Sequence, residues 1–230
     1  MITLADPLAE LRSRIGLPTP LPATPMPLLA AWFEDAQRTK DQPNTNAMIL
    51  ATATASAVPS ARVVLCKAIE TDSASLVFYT NYTSRKACEI EANPRVACVF
   101  HWDSAGRQAR LEGRAERVSE AESDAYFRSR PLLSRLGAWA SEQGRPLDRR
   151  ADLVDRVRAV MKRFGVGLHH FAVSRGCPEV PRPPHWGGYR VHAAAVELWL
   201  GGGGRLNDRA VWKREAGTGG PAWNVTRIQP

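Results

Sequence analysis

Arg85 and Lys86 stand where a helix tolerates cations least. Ser84 reads as the N-cap of a short helix running through Ala87-Cys88-Glu89-Ile90-Glu91, so both cations fall in its first turn, where the macrodipole already presents about half a positive charge. Two readings are open. Either an anion is held at that terminus by free backbone N–H groups and the two cations complete its cage, or the side chains are simply solvated. A second cationic run, Arg62-Val63-Val64-Leu65-Cys66-Lys67, precedes the strand-like stretch Ser75-Leu76-Val77-Phe78-Tyr79-Thr80, so the two basic segments flank one strand. These types and spacings suit a phosphate-binding frame built on a small sheet.

The elements that must position this frame are mostly strands. Residues 48–53, 61–68, 76–80, 95–102 and 108–118 are β-branched or alternating stretches separated by turn-prone residues, with the short helix between the third and fourth. No Gly-rich dinucleotide fingerprint is present, which argues against a parallel nucleotide-binding sheet. Ahead of the strands, residues 27–40 read as an amphipathic helix with Leu28, Leu29, Trp32 and Phe33 on one face. Behind them, Ser119-Glu120-Ala121-Glu122 is a capping box that opens a helix to Ser129, and Pro131 ends or restarts it. A second helix is predicted over 132–141. A third opens near Asp148, with Leu153, Val157, Val160, Met161 and Phe164 as an ordinary packing stripe. Strands return at 189–199, 210–214 and 223–228. The predicted fold class is therefore mainly β with flanking helices: one antiparallel barrel with a helical insertion before its last strands. Residues 1–23, interrupted by Pro18, Pro20 and Pro22, read as a flexible arm, and 24–230 as a single domain.

The chain has 31 Lys and Arg against 23 Asp and Glu, a formal charge of +8, which suits nucleic acid, an acidic membrane surface or phosphorylated small molecules. The cations are scattered, with no run of five or six, so a nucleic-acid arm is not indicated. Cys66, Cys88, Cys98 and Cys177 form no C-x-x-C pair, and reduced thiols are expected. His169, His170, Cys177 and His185 match no zinc spacing, so no metal is expected. Met1-Ile2-Thr3-Leu4-Ala5-Asp6 lacks a basic leader, and no stretch of 18 uncharged apolar residues occurs; a cytoplasmic protein without membrane insertion is expected.

Nine separated segments stand in one order: the Arg62–Lys67 run, Phe78-Tyr79-Thr80-Asn81, Ser84-Arg85-Lys86, Asn93-Pro94-Arg95-Val96, Arg107-Gln108, Tyr126-Phe127-x-x-Arg130-Pro131-x-x-Ser134, Gly137-Ala138-Trp139, Trp186-Gly187-Gly188-Tyr189-Arg190 and Arg205-Leu206-x-Asp208-Arg209. On these residues the chain resembles the pyridoxamine 5′-phosphate oxidase family from about Asn46 to Pro230. The resemblance implies an FMN-binding split barrel, a homodimer with FMN at the subunit interface, and a small phosphorylated substrate oxidised with release of hydrogen peroxide. It implies flavin contacts from Arg62, Val63, Val64, Leu65, Cys66, Lys67, Tyr79, Thr80, Arg85, Lys86, Gln108, Gln143, Gly144, Trp199 and Arg209. For the substrate it implies Lys67, Tyr126, Arg130 and Ser134 at the phosphate, with Arg205 and position 207 holding the ring against the flavin as the catalytic pair.

Departures cluster on the ring-facing side. Position 207 is Asn where the family typically has His, Gly144 stands where Ser commonly follows the Gln, Leu200 replaces a frequent Gln, and residues 165–177 look inserted. Asn207 cannot titrate, so any charge handled by the family His is absent, and reversion to His is expected to raise turnover modestly. A same-fold oxidase for another small ring compound, such as a natural-product intermediate, or a flavin-binding protein without turnover, stays open as the alternative.

Overall fold

The computed structural model describes residues 16–171, 178–214 and 222–230. Its sheet is wholly antiparallel, with strand order β3-β2-β1-β4-β5-β6-β7-β8, and β3 pairs β6 as well, closing the first six into a barrel. The strands are β1 (Ala47–Ala53), β2 (Pro59–Glu70), β3 (Ser75–Asn81), β4 (Arg95–Trp102), β5 (Arg107–Arg117), β6 (Trp186–Leu200), β7 (Asp208–Arg214) and β8 (Trp223–Ile228). Each strand predicted from alternation is present, several with one to three residues added at an end. Closure depends on β6, which is 15 residues long: residues 186–192 pair with β3, while its C-terminal half carries β7. The β5–β6 ladder has a strand irregularity at Glu112/Gly113. A Cβ on Gly113 would stand 2.0 Å from the His192 carbonyl oxygen, so only glycine allows the two backbones this close.

Five α-helices decorate the barrel among the described residues. Helix α1 (Met26–Thr39) buries Met26, Leu29, Trp32 and Phe33 in the barrel core, where Phe33 meets Phe100 edge-on at 5.8 Å and Phe100 stacks on Trp102 at 5.2 Å. Helix α2 (Arg85–Ala92) follows β3. Between β5 and β6 stand α3 (Glu120–Ser129), α4 (Leu132–Ala140) and α5 (Arg150–Arg163). Val157, Val160, Met161 and Phe164 of the predicted stripe pack on a small separate cluster around Leu136, Val166 and Val180, while Leu153 stands outside it, and no α5 side chain is fully buried.

Three local expectations are corrected. Ser84 stands at the N-cap of α2 but its hydroxyl caps nothing; it donates to the Asn81 carbonyl at 2.7 Å and accepts from Lys86 Nζ at 3.1 Å. The Ser119 box is half formed: Ser119 Oγ accepts from Glu122 N, while the Glu122 carboxylate faces Arg190 at 3.1 Å, a stronger charge-assisted partner than a backbone N–H. Within the proline-rich segment, residues 16–23 are tied to the barrel: Trp212 Nε1 donates to Pro22 O at 2.8 Å, Arg227 to the Leu17 and Pro18 carbonyls, and Leu17 N to Asp208. Residues 1–15 lie outside the described residues, as do Cys177 and part of the 165–177 stretch.

Two carboxylates fasten the sheet, Glu70 half-buried and Glu89 buried. Arg190 on β6 grips Glu70 on β2 through Nε and Nη2 at 2.8 and 2.9 Å, and this fork, helped by Ser75 and Ser73, holds the Glu70 carboxyl down at about 2. Burial pushes Glu89 upward, but hydrogen bonds from Ser60, Thr52 and Arg85 outweigh it and hold its carboxyl at about 2. Both start from an ordinary value of 4.5, so their stabilisation is complete above that pH and is lost as pH falls from 4.5 toward 2. Urea midpoints should therefore drop between pH 5 and pH 3, and the drop should be shallower in Glu70→Gln and Glu89→Gln; parallel pH curves for parent and variants would contradict these assignments.

Candidate functional site

A cavity of about 950 Å³ opens between the β2–β3 edge of the barrel and helices α3 and α4. It falls at the upper end of the range for small-molecule sites. From β2 it takes Arg62, Val63, Val64, Leu65 and Lys67, from β3 Tyr79 and Thr80, and from α2 Lys86. Tyr126, Arg130 and Ser134 face it from the helical insertion, and Gln143 from the segment after α4. These twelve residues, all predicted from sequence, come together from elements up to about 80 positions apart in the chain.

Local structure explains each placement. Lys67 falls at a register break between Cys66 and Ala68, and the extra residue turns its side chain toward the cavity. Arg130 is the C-cap of α3; preceding Pro131, it is forced into extended backbone (φ −74°, ψ 147°), which ends the helix and swings the guanidinium inward. Pro131 is the N-cap of α4, so Ser134 lies in that helix's first turn among N–H groups without helical partners. Lys86 Nζ donates to Gln143 Oε1 at 2.8 Å and to Thr80 Oγ1 at 3.1 Å. Burial, then the nearby Arg62 charge, depresses Lys86 to about 8.

Charge is the cavity's main property. Arg62, Lys67, Lys86 and Arg130 line it, and among the described residues no carboxylate does. Arg62 is braced behind it by Glu89 at 3.4 Å, Ser60 and the Leu50 carbonyl. Arg130 has no such brace: its Nη1 is buried without a hydrogen-bond partner among the described residues, and burial lowers its pKa. An unpaired buried guanidinium N–H costs about 1–3 kcal/mol, which a bound anion would offset.

Other predicted residues lie elsewhere in the chain. Cys66 points into the core, where burial pushes its thiol to about 12, so only its backbone can face a ligand. Arg85 is outside the lining and pairs with Glu89 at 2.8 Å, an i,i+4 contact that answers half of the misplaced-cation puzzle without any anion. Gly144, at φ +87°, follows Gln143 but does not line the cavity. Gln108, Trp199 and Arg209 form a row of cross-strand neighbours over β5, β6 and β7, away from the lining, with Arg209 held by Glu197 at 2.6 Å. Arg205 and Asn207 occupy the β6–β7 turn. Arg205 is exposed with φ +65°, and Asn207 Oδ1 accepts from Gly202 N at 3.1 Å.

Sequence reasoning missed several lining residues, Asn81, Ser129, Ser141 and Trp186 among them, and the acid behind the wall, Glu89. Trp186 lines the cavity beneath Arg130, and an aromatic residue before paired glycines was its available signal. Glu89 left no local signal, because Thr52, Ser60 and Arg62 approach it from about 30 residues earlier.

Comparison with known proteins decides the family. A family model described as pyridoxamine 5′-phosphate oxidase matches residues 35–163, and one described as the pyridoxine 5′-phosphate oxidase C-terminal dimerisation region matches 186–230. The chain belongs to the pyridoxamine 5′-phosphate oxidase family. A pyridoxine/pyridoxamine 5′-phosphate oxidase of Gluconobacter oxydans is 48% identical over 211 residues, covering 91% of this chain and 96% of the relative. That of Cupriavidus necator is 43% identical, covering 97% and 99%. Among solved structures, PhzG from Burkholderia lata 383, crystallised with tetrahydrophenazine-1-carboxylic acid, superposes with a TM-score of 0.77 at 27% identity, covering 100% of this chain and 99% of that one. A related FMN-binding protein of Nostoc punctiforme shares the fold, with a TM-score of 0.66 at 17% identity over 87% of this chain and 96% of that one. Relatives of this family are oxidoreductases, and this chain is an enzyme of that class.

The Asn207 contact changes one expectation. Because its amide closes the turn onto Gly202, replacement by His removes a loop acceptor as well as adding a ring, and reversion is no longer a simple gain. Asn207→Ala should speed hydrogen exchange at the Gly202 amide by about 3–10-fold, the worth of one ordinary hydrogen bond, while Asn207→Asp, which keeps an acceptor, should not. Equal exchange in all three proteins would show that the turn holds itself.

Proposed function

We propose that this enzyme uses FMN to oxidise pyridoxamine 5′-phosphate or pyridoxine 5′-phosphate to pyridoxal 5′-phosphate, with oxygen as acceptor and hydrogen peroxide as co-product. The observation that carries the reading is a cavity that, among the described residues, has four cationic side chains and no carboxylate, which favours a doubly phosphorylated content: one phosphate on the cofactor, one on the substrate. The amine substrate takes up one water and releases ammonia; the alcohol needs neither.

The residues present fit FMN. Lys86, with Thr80, Gln143 and Arg62 beside it, supplies a cationic corner without a carboxylate among the described residues. The backbone of Val63, Val64, Leu65 and Cys66 runs along the same wall. Bound FMN supplies the hydride acceptor and passes the electrons to oxygen. Lys67, Tyr126, Arg130 and Ser134 gather the substrate phosphate and so fix the rest of the substrate. Hydride transfer needs such placement more than a strong base.

Gln108, Gly144, Trp199, Arg209, Arg205 and Asn207 do not face this cavity in their own chain, which supports a homodimer whose second copy completes the ring-facing side. Exposed Ile49, Val63 and Leu65 on the outer face of β1 and β2 support the same association, as does the dimerisation region described for residues 186–230. A second reading rests on the likeness to PhzG and on the loop role of Asn207: the ring-facing side serves another small ring compound.

Peroxide formed on adding pyridoxamine 5′-phosphate to the FMN-loaded protein tests the first reading directly, and its absence with a flavin that other ring compounds reduce favours the second. Arg130→Ala should raise KM for phosphorylated substrate about tenfold or more and leave FMN bound, since charge-assisted bonds contribute roughly 1.5–3 kcal/mol. Equal parental activity on pyridoxamine and its phosphate would contradict that assignment. Lys86 gives a pH signature. In the free protein it titrates near 8 and a bound phosphate favours its charged form, so FMN affinity should fall above pH 8, approaching about tenfold per unit. Flavin fluorescence titrations from pH 6.5 to 9.5 should show this limb in the parent and a flat one in Lys86→Arg; a flat parental profile would remove Lys86 from the phosphate.

A further inference from the structure

Arg130 is held by aromatic faces rather than by an acid. Its guanidinium carbon lies 4.6 Å from the centre of the Trp186 ring and 5.5 Å from Phe127. Trp186 is itself buried and belongs to a nearly parallel aromatic group: Tyr79 and Tyr126 stack at 3.9 Å, Tyr79 and Trp186 at 5.4 Å, and Tyr126 and Trp186 at 6.2 Å, with interplanar angles of 16°, 10° and 6°. The group therefore orients both Tyr126 and Arg130, two of the side chains assigned to the substrate phosphate.

The backbone that carries the indole is clipped in place from outside. Arg182 donates through Nη1 to the Trp186 carbonyl at 2.9 Å and through Nε to Asp124 on α3 at 2.6 Å, so one side chain ties the start of β6 to the helix that ends in Arg130. Trp186 N donates to Pro183 O at 3.1 Å, and Trp186 pairs with Asn81 at the end of the β3–β6 ladder.

The chemistry of the pairing matters. A carboxylate partner would fix Arg130 but would consume two N–H groups and neutralise the charge. A ring face fixes the guanidinium plane while leaving its N–H edge free, and Arg130 Nη1 is buried without a partner among the described residues. We propose that Trp186 is a positioning residue that sets selectivity for a phosphate ester, by presenting Arg130 with its full charge and an open N–H edge to the phosphate. This rests on the oxidase reading for the identity of the ester, though not for the stacking.

The test uses Trp186→Phe, which keeps a flat face, and Trp186→Leu, which keeps apolar bulk without one. Calorimetric dissociation constants for pyridoxal 5′-phosphate and for pyridoxal are compared on FMN-loaded protein, alongside flavin affinity and KM against kcat. Trp186→Leu should weaken the phosphate ester at least tenfold and pyridoxal far less, with the kinetic loss in KM; Trp186→Phe should restore most of the affinity. In an Arg130→Ala background, Trp186→Leu should add little. Equal losses on both ligands, or equal effects of Leu and Phe, would overturn the proposal by reducing Trp186 to packing. So would full additivity with Arg130→Ala. A parent that binds the ester tightly yet forms no peroxide with pyridoxamine 5′-phosphate defeats the oxidase reading and leaves this inference standing; a parent that prefers pyridoxal defeats both.

Discussion

The ladder between β3 and β6 is the constraint on which the site depends. It joins residues 75–81 to 186–192, more than 100 positions apart, in seven consecutive cross-strand pairs from Ser75↔His192 to Asn81↔Trp186. Once that closure is made, the chain between β5 and β6 must leave the barrel and return beside β3, and the helices it contains come down over β3's outer surface. Strand β3 is consequently buried on both faces apart from Tyr79, which is half-buried at the cavity. Tyr126, Arg130 and Ser134 face Lys67, Tyr79 and Lys86 for this topological reason.

Around this frame the protein uses arginine in two ways. Structural arginines are matched by acids: Arg190 by Glu70 and Glu122, Arg182 by Asp124, Arg107 by Asp35, and both Arg110 and Arg209 by Glu197. Partly exposed pairs of this kind contribute about 0–1 kcal/mol each, so their role is to hold register and geometry rather than to supply stability. Cavity cations are treated differently. Lys86 is desolvated among neutral acceptors, and Arg130 is stacked on rings, so both keep charge available for a ligand. Arg62 lies between these cases, since Glu89 steadies it from behind without lining the cavity.

The same contrast bears on the β6–β7 turn. Asn207 accepts from Gly202 within a run of four glycines, and Arg205 stands in the left-handed region next to Gly204. A side-chain amide offers a compact acceptor for such a turn. The departure at position 207 is thus accompanied by a backbone device of its own.

The strands and helices were legible in the sequence because hydrophobic period is a local property, read at 2.0 or 3.6 residues whatever the partners are. Pre-proline backbone at Arg130 and the first-turn place of Ser134 were equally local. The capping role assigned to Ser84 failed because Asn81 and Lys86, close in sequence, offered its hydroxyl competing partners whose geometry only the folded loop decides. Tertiary structure alone decided that Lys86 turns inward to Gln143, and that Cys66 faces the core while its neighbours face the cavity. It also decided that Gln108, Trp199 and Arg209 stand apart from the cavity of their own chain, because sheet position is set by long-range pairing. Residue chemistry is written along the chain, but which side chains share a cavity depends on contacts between segments a hundred residues apart, whose closure no local pattern encodes.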